Sequence, residues 1–159
     1  MAFDQPLVGG RCPACDAPAP AEPGACPACG FHLETARARF GAVPRYSIHV
    51  TDSTEAILGP AEFRSIEARL IQFANQFPQS RFSVFFTALL PGRSVKEYAF
   101  WLFNCCNFTS FDSKLSNNFA LLLVVDMQSR SACLMAGYGL EPYLSREDLD
   151  TLAGCIVPG

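Results

Sequence analysis

The sequence predicts an α/β domain with a mostly parallel sheet, preceded by a small cysteine-rich ribbon. Three observations lead there. Residues 46–159 alternate apolar runs with amphipathic stretches, as strands joined by helices do. The motif Cys-Pro-Ala-Cys occurs twice in the first thirty residues, at Cys12–Cys15 and Cys26–Cys29. Composition then changes near residue 35, after a Pro/Ala stretch, APAPAEPGA at 17–25, that has no hydrophobic periodicity. The chain therefore divides into a ribbon at 1–34, a linker at 35–45 and an α/β domain at 46–159. The linker carries Arg37, Arg39 and Arg45, and Gly41 and Pro44 mark its end.

Each element of the larger part has a local reason. Tyr46–Val50 reads as a short strand. Gly59-Pro60 opens a helix, with Pro where no intrahelical N–H is needed. Phe63, Ile66, Leu70, Phe73 and Phe77 recur at spacings of three and four, giving one apolar face, and Pro78 ends the helix. Phe82–Leu90 is an aromatic and aliphatic strand followed by a Pro91-Gly92 turn. Ser94 with Glu97 is a capping box, in which the Ser oxygen accepts a backbone N–H and the Glu reaches back. That helix runs to about Asn104 and buries Tyr98, Trp101 and Leu102. Asn107–Asn118 is polar and turn-rich, hence a loop. Phe119–Val125 is a continuous apolar strand of the kind buried on both faces. Met127–Arg130 is a tight connection, and Ala132–Ala136 is the antiparallel partner. Ser145 with Asp148 starts a last helix that stops near Gly154. The order β-α-β-α-β-β-α predicts a three-layer α/β/α sandwich, with right-handed crossovers carrying the two long helices.

Composition bounds the function. The chain has 159 residues, 12 basic and 15 acidic side chains, a net charge of −3, 50% hydrophobic and 17% charged residues. That excludes a disordered chain and a strongly basic nucleic-acid binder. The start, MAFDQPLVGGR, has no basic residues followed by an apolar run, so no secretory signal is expected. The longest apolar run, Phe119–Val125, is far short of the roughly 20 residues a membrane span needs. A cytoplasmic location follows as the expectation, where thiols stay reduced and paired cysteines point to metal.

Two Cys-x-x-Cys knuckles supply four thiolates, the closed tetrahedral set for a structural Zn²⁺ held by Cys12, Cys15, Cys26 and Cys29. Gly30 suits a left-handed residue after the second knuckle. A redox pair or an iron site is the alternative for such motifs. The ribbon has no core of its own, so metal removal should melt residues 10–34 and spare the rest. It carries one basic side chain, Arg11, against Asp4, Asp16, Glu22 and Glu34. That balance fits protein contact rather than phosphate contact. With four cysteines present, His32 reads as solvated or packed and not as a ligand.

A family resemblance emerges from several segments. Val50-Thr51-Asp52, Leu58, Pro60, Glu62 and Ile66–Leu70 resemble the opening of the TPM domain, found in thylakoid-lumen and photosystem-repair proteins and bacterial relatives. Ser94 with Glu97-Tyr98-Ala99 resembles its second helix, and Phe119–Asp126 its central strand. Gly137-Tyr138-Gly139-Leu140-Glu141 resembles its most recognisable motif. The match spans about residues 48–156. It implies an α/β/α fold, and either an acid phosphatase or an assembly and repair factor. It also implies an acidic pocket able to hold Ca²⁺ or Mg²⁺. This chain departs from the family at Asn117-Asn118-Phe119, where Asp-Asn-Gly is common. A hard cation wants carboxylate oxygens, so the change weakens a metal-assisted phosphatase. The chain stops at Pro158-Gly159, where the family usually continues into another helix, so the domain reads as abbreviated or truncated.

The candidate site residues follow. Asp52 and Asp126 end the first and third strands, where open α/β sheets place their ligand crevice. Asp52 could be a cation ligand or base, or a turn cap; Asp126 reads chiefly as the start of a turn. Asn117 and Asn118 could offer amide oxygens to a cation. Glu141 is a pocket candidate through the resemblance alone. Gly137 and Gly139 let the backbone turn and lack a dinucleotide-binding context. Cys105-Cys106, Cys133 and Cys155 read as packing. His32 and His49 are the two histidines, and neither sits in a triad pattern. The expected function is a protein-binding or assembly module with a structural zinc ribbon. The alternatives are a divalent-metal phosphatase centred on Asp52, helped by Asn118 and Asp126, and a redox protein using the Cys-Pro-Ala-Cys pairs.

Overall fold

The structure is a computed structural model that describes residues 11–18, 24–108, 119–140 and 147. Its elements are helix α1 (Leu33–Phe40), strand β1 (Val50–Asp52), helix α2 (Pro60–Gln76), strand β2 (Arg81–Thr87), helix α3 (Val95–Cys105), and strands β3 (Ala120–Asp126) and β4 (Ser131–Ala136). A 3-10 turn, Tyr138–Leu140, follows β4. The sheet order is β1-β2-β3-β4. β1 runs parallel to β2, and β2 parallel to β3, while β4 returns antiparallel to β3. The chain is thus α/β with a mostly parallel four-stranded sheet, as the alternation of apolar and amphipathic stretches predicts. The expected last helix lies outside the described residues, Glu147 aside, as do residues 109–118 of the expected loop.

Side chains of β3 alternate between two cores, as the period of two demands. Ala120, Leu122 and Val124 join Phe85 and the α3 residues Tyr98–Phe103 in one cluster. Leu123 and Val125 join Val50, Val84, Leu134 and Leu70, with Phe63 and Ile66 packed against them, in the other. All seven residues of β3 are buried, which explains why it reads as an unbroken apolar run.

Several boundaries differ from the sequence reading for local reasons. β1 begins at Val50, not Tyr46. Just before it the Ser47 N–H donates to Thr51 Oγ1 (2.8 Å) and the His49 N–H to Ser47 Oγ (3.1 Å), a side-chain-closed turn that uses up the N–H groups of residues 47 and 49 locally. β2 stops at Thr87, not Leu90, because the Leu89 N–H leaves the ladder to donate to Asp126 Oδ1 at 2.9 Å. Residues 35–45, read as a linker, begin inside α1. His32 caps that helix, its Nδ1 accepting from the Thr35 N–H at 3.0 Å. Gly41, at φ 76°, ends it. The capping box of α3 is only half made. Ser94 accepts from the Glu97 N–H at 3.3 Å, but the Glu97 carboxylate pairs with Arg39 of α1.

α2 opens as expected, with Pro60 in its first turn and the Gly59 N–H donating to Glu62 Oε2 at 3.2 Å.

Asp126 ties the carboxyl end of the sheet together. It is 1% exposed. Its Oδ1 accepts from the N–H groups of Leu89 and Gln128 (2.9 and 3.1 Å), and its Oδ2 from the Ser129 hydroxyl at 2.6 Å. Removing the carboxylate strands the buried Leu89 N–H, at a cost of about 1–3 kcal/mol, and also takes away the acceptor that holds the turn after β3. Asp126→Ala is therefore expected to lower unfolding stability by about 2–4 kcal/mol in urea titration. A loss below measurement error would show that this carboxylate is not a fastener.

Candidate functional site

The two Cys-Pro-Ala-Cys turns fold alike. In the first, the Cys12 N–H donates to the Ala17 carbonyl (2.9 Å) and the Asp16 N–H to the Cys12 carbonyl (2.9 Å). In the second, the Cys26 N–H donates to the Phe31 carbonyl (2.8 Å) and the Gly30 N–H to the Cys26 carbonyl (2.8 Å). The fifth residue of each turn is left-handed, Gly30 at φ 80° and Asp16 at φ 63°. Gly does this freely, and Asp is among the few other residues that tolerate it.

The turns bring four sulfurs together. The ligand atoms of Cys12, Cys15, Cys26 and Cys29 all lie within 4.8 Å of one another. Sγ of Cys12 is 3.7 Å from that of Cys29, and Sγ of Cys15 is 3.7 Å from that of Cys26. Sulfurs bound tetrahedrally at about 2.3 Å from zinc sit about 3.8 Å apart. The donor set and its spacing therefore fit a metal such as zinc. None of Cys12, Cys15, Cys26 and Cys29 is in a disulfide. The backbone N–H of Cys29, acting against burial, lowers the Cys26 thiol to about 7. Burial pushes Cys12 up to about 12. His32 stays outside the cluster as the cap of α1.

The cluster is seated on the α/β domain. Cys12 and Cys26 are buried at 1% and 2% exposure and share one core with Phe31, Ala36 and the α3 residues Phe100–Phe103. Phe31, the residue after the second knuckle's glycine, packs on Phe100 with ring centroids 5.5 Å apart. Phe40 of α1 packs on Tyr98 (5.1 Å) and Trp101 (5.4 Å). The Arg39–Glu97 pair closes the same seam. Sequence reasoning missed this seam. Its signal was Glu97, an acidic residue within a helix otherwise rich in aromatic side chains.

The carboxylate candidates separate into two groups. Asp52 and Asp126 end the parallel strands β1 and β3, at the edge where Ser53 donates to Thr87 Oγ1 at 3.1 Å. Asp52 Oδ2 accepts from the N–H groups of Ile57 and Leu58, both at 2.8 Å. Its Oδ1 accepts from the Thr54 N–H and hydroxyl, at 3.2 and 3.1 Å. Burial pushes this carboxyl up, but hydrogen bonds from Leu58, Thr54 and Ile57 outweigh it and hold it below the ordinary aspartate value. The glycine motif lies at the opposite edge, where the Gly137 N–H donates to the Ala120 carbonyl at 2.9 Å. β3 runs seven residues between Ala120 and Asp126, roughly 20 Å. Asn117, Asn118, Glu141 and Cys155 lie outside the described residues. Cys106 is buried, and burial pushes its thiol up to about 12. Cys105 and Cys133 pack against the α3 core.

Among solved structures, the chain is similar to the solution NMR structure of the N-terminal domain of a protein from P. gingivalis. The match has 24% identity and a TM-score of 0.48, and covers 65% of this chain. The chain spans 62% of that structure's length. No family profile matches the chain, and no curated protein matches it.

Two outcomes follow. The purified chain should hold one tightly bound zinc through four sulfurs, read by metal analysis and X-ray absorption. Cys26→Ser should release it, because structural zinc contributes on the order of 10 kcal/mol. Nitrogen or oxygen in the inner shell would contradict the four-sulfur assignment. Separately, Asp52→Asn should cost roughly 1 kcal/mol at neutral pH, since the amide donates where the carboxylate accepted. A lowered carboxyl stabilises the fold above its unfolded value and ceases to do so as pH falls through its folded value. The gap between wild type and variant should thus be full above pH 3.8 and shrink below it. A gap independent of pH would contradict the cause.

Proposed function

We propose that this chain is a TPM-like domain carrying a structural zinc ribbon, and that it acts as a protein-binding or assembly module in a reducing compartment. The observation that carries this reading is the state of the two candidate carboxylates. Asp52 accepts four hydrogen bonds from its own loop, and Asp126 accepts three while buried. Both are engaged in holding backbone, which leaves little capacity for a hard cation. The four-cysteine cluster supports the same reading, since four protein ligands leave no open position for substrate. The strand order and the α2 and α3 clusters on alternate residues of β3 agree with the three-layer α/β/α fold that the TPM resemblance implies. Among the described residues no helix is long and apolar enough to cross a membrane.

A second reading, a divalent-metal phosphatase, is favoured by one observation. Asp52 and Asp126 lie at the carboxyl ends of parallel strands, the edge where α/β sheets bind ligands.

One experiment separates the two. Wild type and Cys26→Ser are used as bait in cell extract, and both are assayed for p-nitrophenyl phosphate turnover with Mg²⁺, Ca²⁺ or Mn²⁺. The binding reading expects a partner set that Cys26→Ser loses, and no turnover. Metal-stimulated turnover abolished by Asp52→Asn would replace it with the phosphatase reading. Identical partner sets would remove the ribbon from the function.

A further inference from the structure

At the carboxyl end of the parallel strands, two neighbouring loops hold apolar side chains out in solvent. Leu90, in the loop after β2, is 72% exposed, the highest value for a large apolar side chain among the described residues. Met127, in the hairpin after β3, is 48% exposed. The two loops are bonded to each other. The Met127 N–H donates to the Thr87 carbonyl at 2.8 Å, and the Leu89 N–H to Asp126 Oδ1 at 2.9 Å. One exposed leucine is ordinary on a protein surface, but two large apolar side chains on adjoining loop tips form a patch.

Each apolar tip opens a tight turn that an arginine closes. Leu90-Pro91-Gly92-Arg93 has the signature of a type II turn, with Pro second, Gly92 third at φ 85° and the Arg93 N–H donating to the Leu90 carbonyl at 3.1 Å. Met127 and Arg130 are the first and last residues of the hairpin loop between the paired residues Asp126 and Ser131. Arg130 sits at φ 54°, a left-handed position that glycine or asparagine takes more readily. Lys96, exposed in the first turn of α3, adds a third cation. Among the described residues none of these three is in an ion pair, and the Arg93 guanidinium lies 5.9 Å from the centre of the Phe40 ring. The acidic groups nearby are occupied. Asp52, Glu62 and Asp126 accept backbone N–H groups, and Glu97 pairs with Arg39. Glu55 is exposed, but it follows β1, with β2 between it and β3.

We propose that this end of the sheet docks on an anionic membrane surface. Leu90 and Met127 enter the interface, and Arg93, Lys96 and Arg130 meet the lipid phosphates. A bilayer surface accepts narrow apolar tips and the cations around them together. A protein partner would call for a broader face with an aromatic centre, and the aromatic side chains of α3 are already packed under the ribbon and α1. The net charge of −3 does not oppose this contact. Screening at physiological salt acts over about 8 Å, so the cations beside the tips set the local field. The proposal goes beyond the protein-binding reading and does not depend on it.

The test is flotation of the zinc-loaded whole chain with vesicles of phosphatidylcholine alone, and with vesicles in which about one third of the lipid is phosphatidylserine. Wild type is expected to float with the anionic vesicles, more weakly as salt rises, and to leave the neutral ones largely free. Lys96→Gln and Arg130→Gln should each lower partition about fivefold. Leu90→Ser and Met127→Ser should each lower it about tenfold. Ile71→Ser removes an exposed apolar side chain on α2 and should leave partition unchanged. Circular dichroism of each variant reports whether it is folded. Absence of wild type from the anionic vesicles would overturn the proposal. So would partition unchanged in folded Leu90→Ser and Arg130→Gln, or lowered as much by Ile71→Ser. No flotation, with a protein partner that wild type captures and Leu90→Ser loses, would overturn it in favour of a protein-docking edge. The ribbon reading keeps its own test in Cys26→Ser, so the two fail separately.

Discussion

The contact between the cysteine turns and α3 organises half of this molecule. Two of the four thiols, Cys12 and Cys26, are buried in the same apolar cluster as Trp101 and Phe103. Phe31 follows directly from the second turn and packs on Phe100. α1 then lays Phe40 across Tyr98 and Trp101. A ribbon of this size has too little apolar surface to hold itself together, and a metal would supply the missing constraint. The domain in turn presents an aromatic face on α3 that something must cover. Each part answers the other's deficit, and the Arg39–Glu97 ion pair sets their register.

The opposite device operates at the carboxyl edge of the sheet. There two acidic side chains serve as acceptors for backbone N–H groups that the strands abandon. Asp126 takes the Leu89 N–H where β2 ends and the Gln128 N–H where β3 turns back. Asp52 gathers Thr54, Ile57 and Leu58 ahead of α2. A carboxylate with several fixed donors is a strong local fastener. The same engagement makes it a poor ligand for a cation, and this links the fold's local hydrogen bonding to the proposed binding role.

Much of this was legible in the sequence. The doubled Cys-Pro-Ala-Cys announced a four-sulfur cluster, because each knuckle turns its two sulfurs to one side. The run from Phe119 to Val125 announced a strand buried on both faces, found one residue later at Ala120–Asp126, and Phe63, Ile66 and Leu70 the core face of α2. What was not legible depended on tertiary partners. Helix α1 is short and carries Glu34, Arg37 and Arg39, so no apolar stripe marks it. Phe31 and Phe40, at its two ends, become anchors only against α3. The Glu97 carboxylate looked like the second half of a capping box, and Arg39, far away in sequence, takes it instead. Leu90 and Met127 had no motif, since their juxtaposition exists only once β2 and β3 are paired.

Hydrogen exchange measured on the zinc-loaded chain and again after chelation tests the central claim most directly. The account predicts that metal loss deprotects residues 26–40 and also the amides of α3, while β2 and β3 stay protected. Deprotection confined to the cysteine turns, with α3 unchanged, would show that the ribbon and the domain are energetically independent and would contradict it.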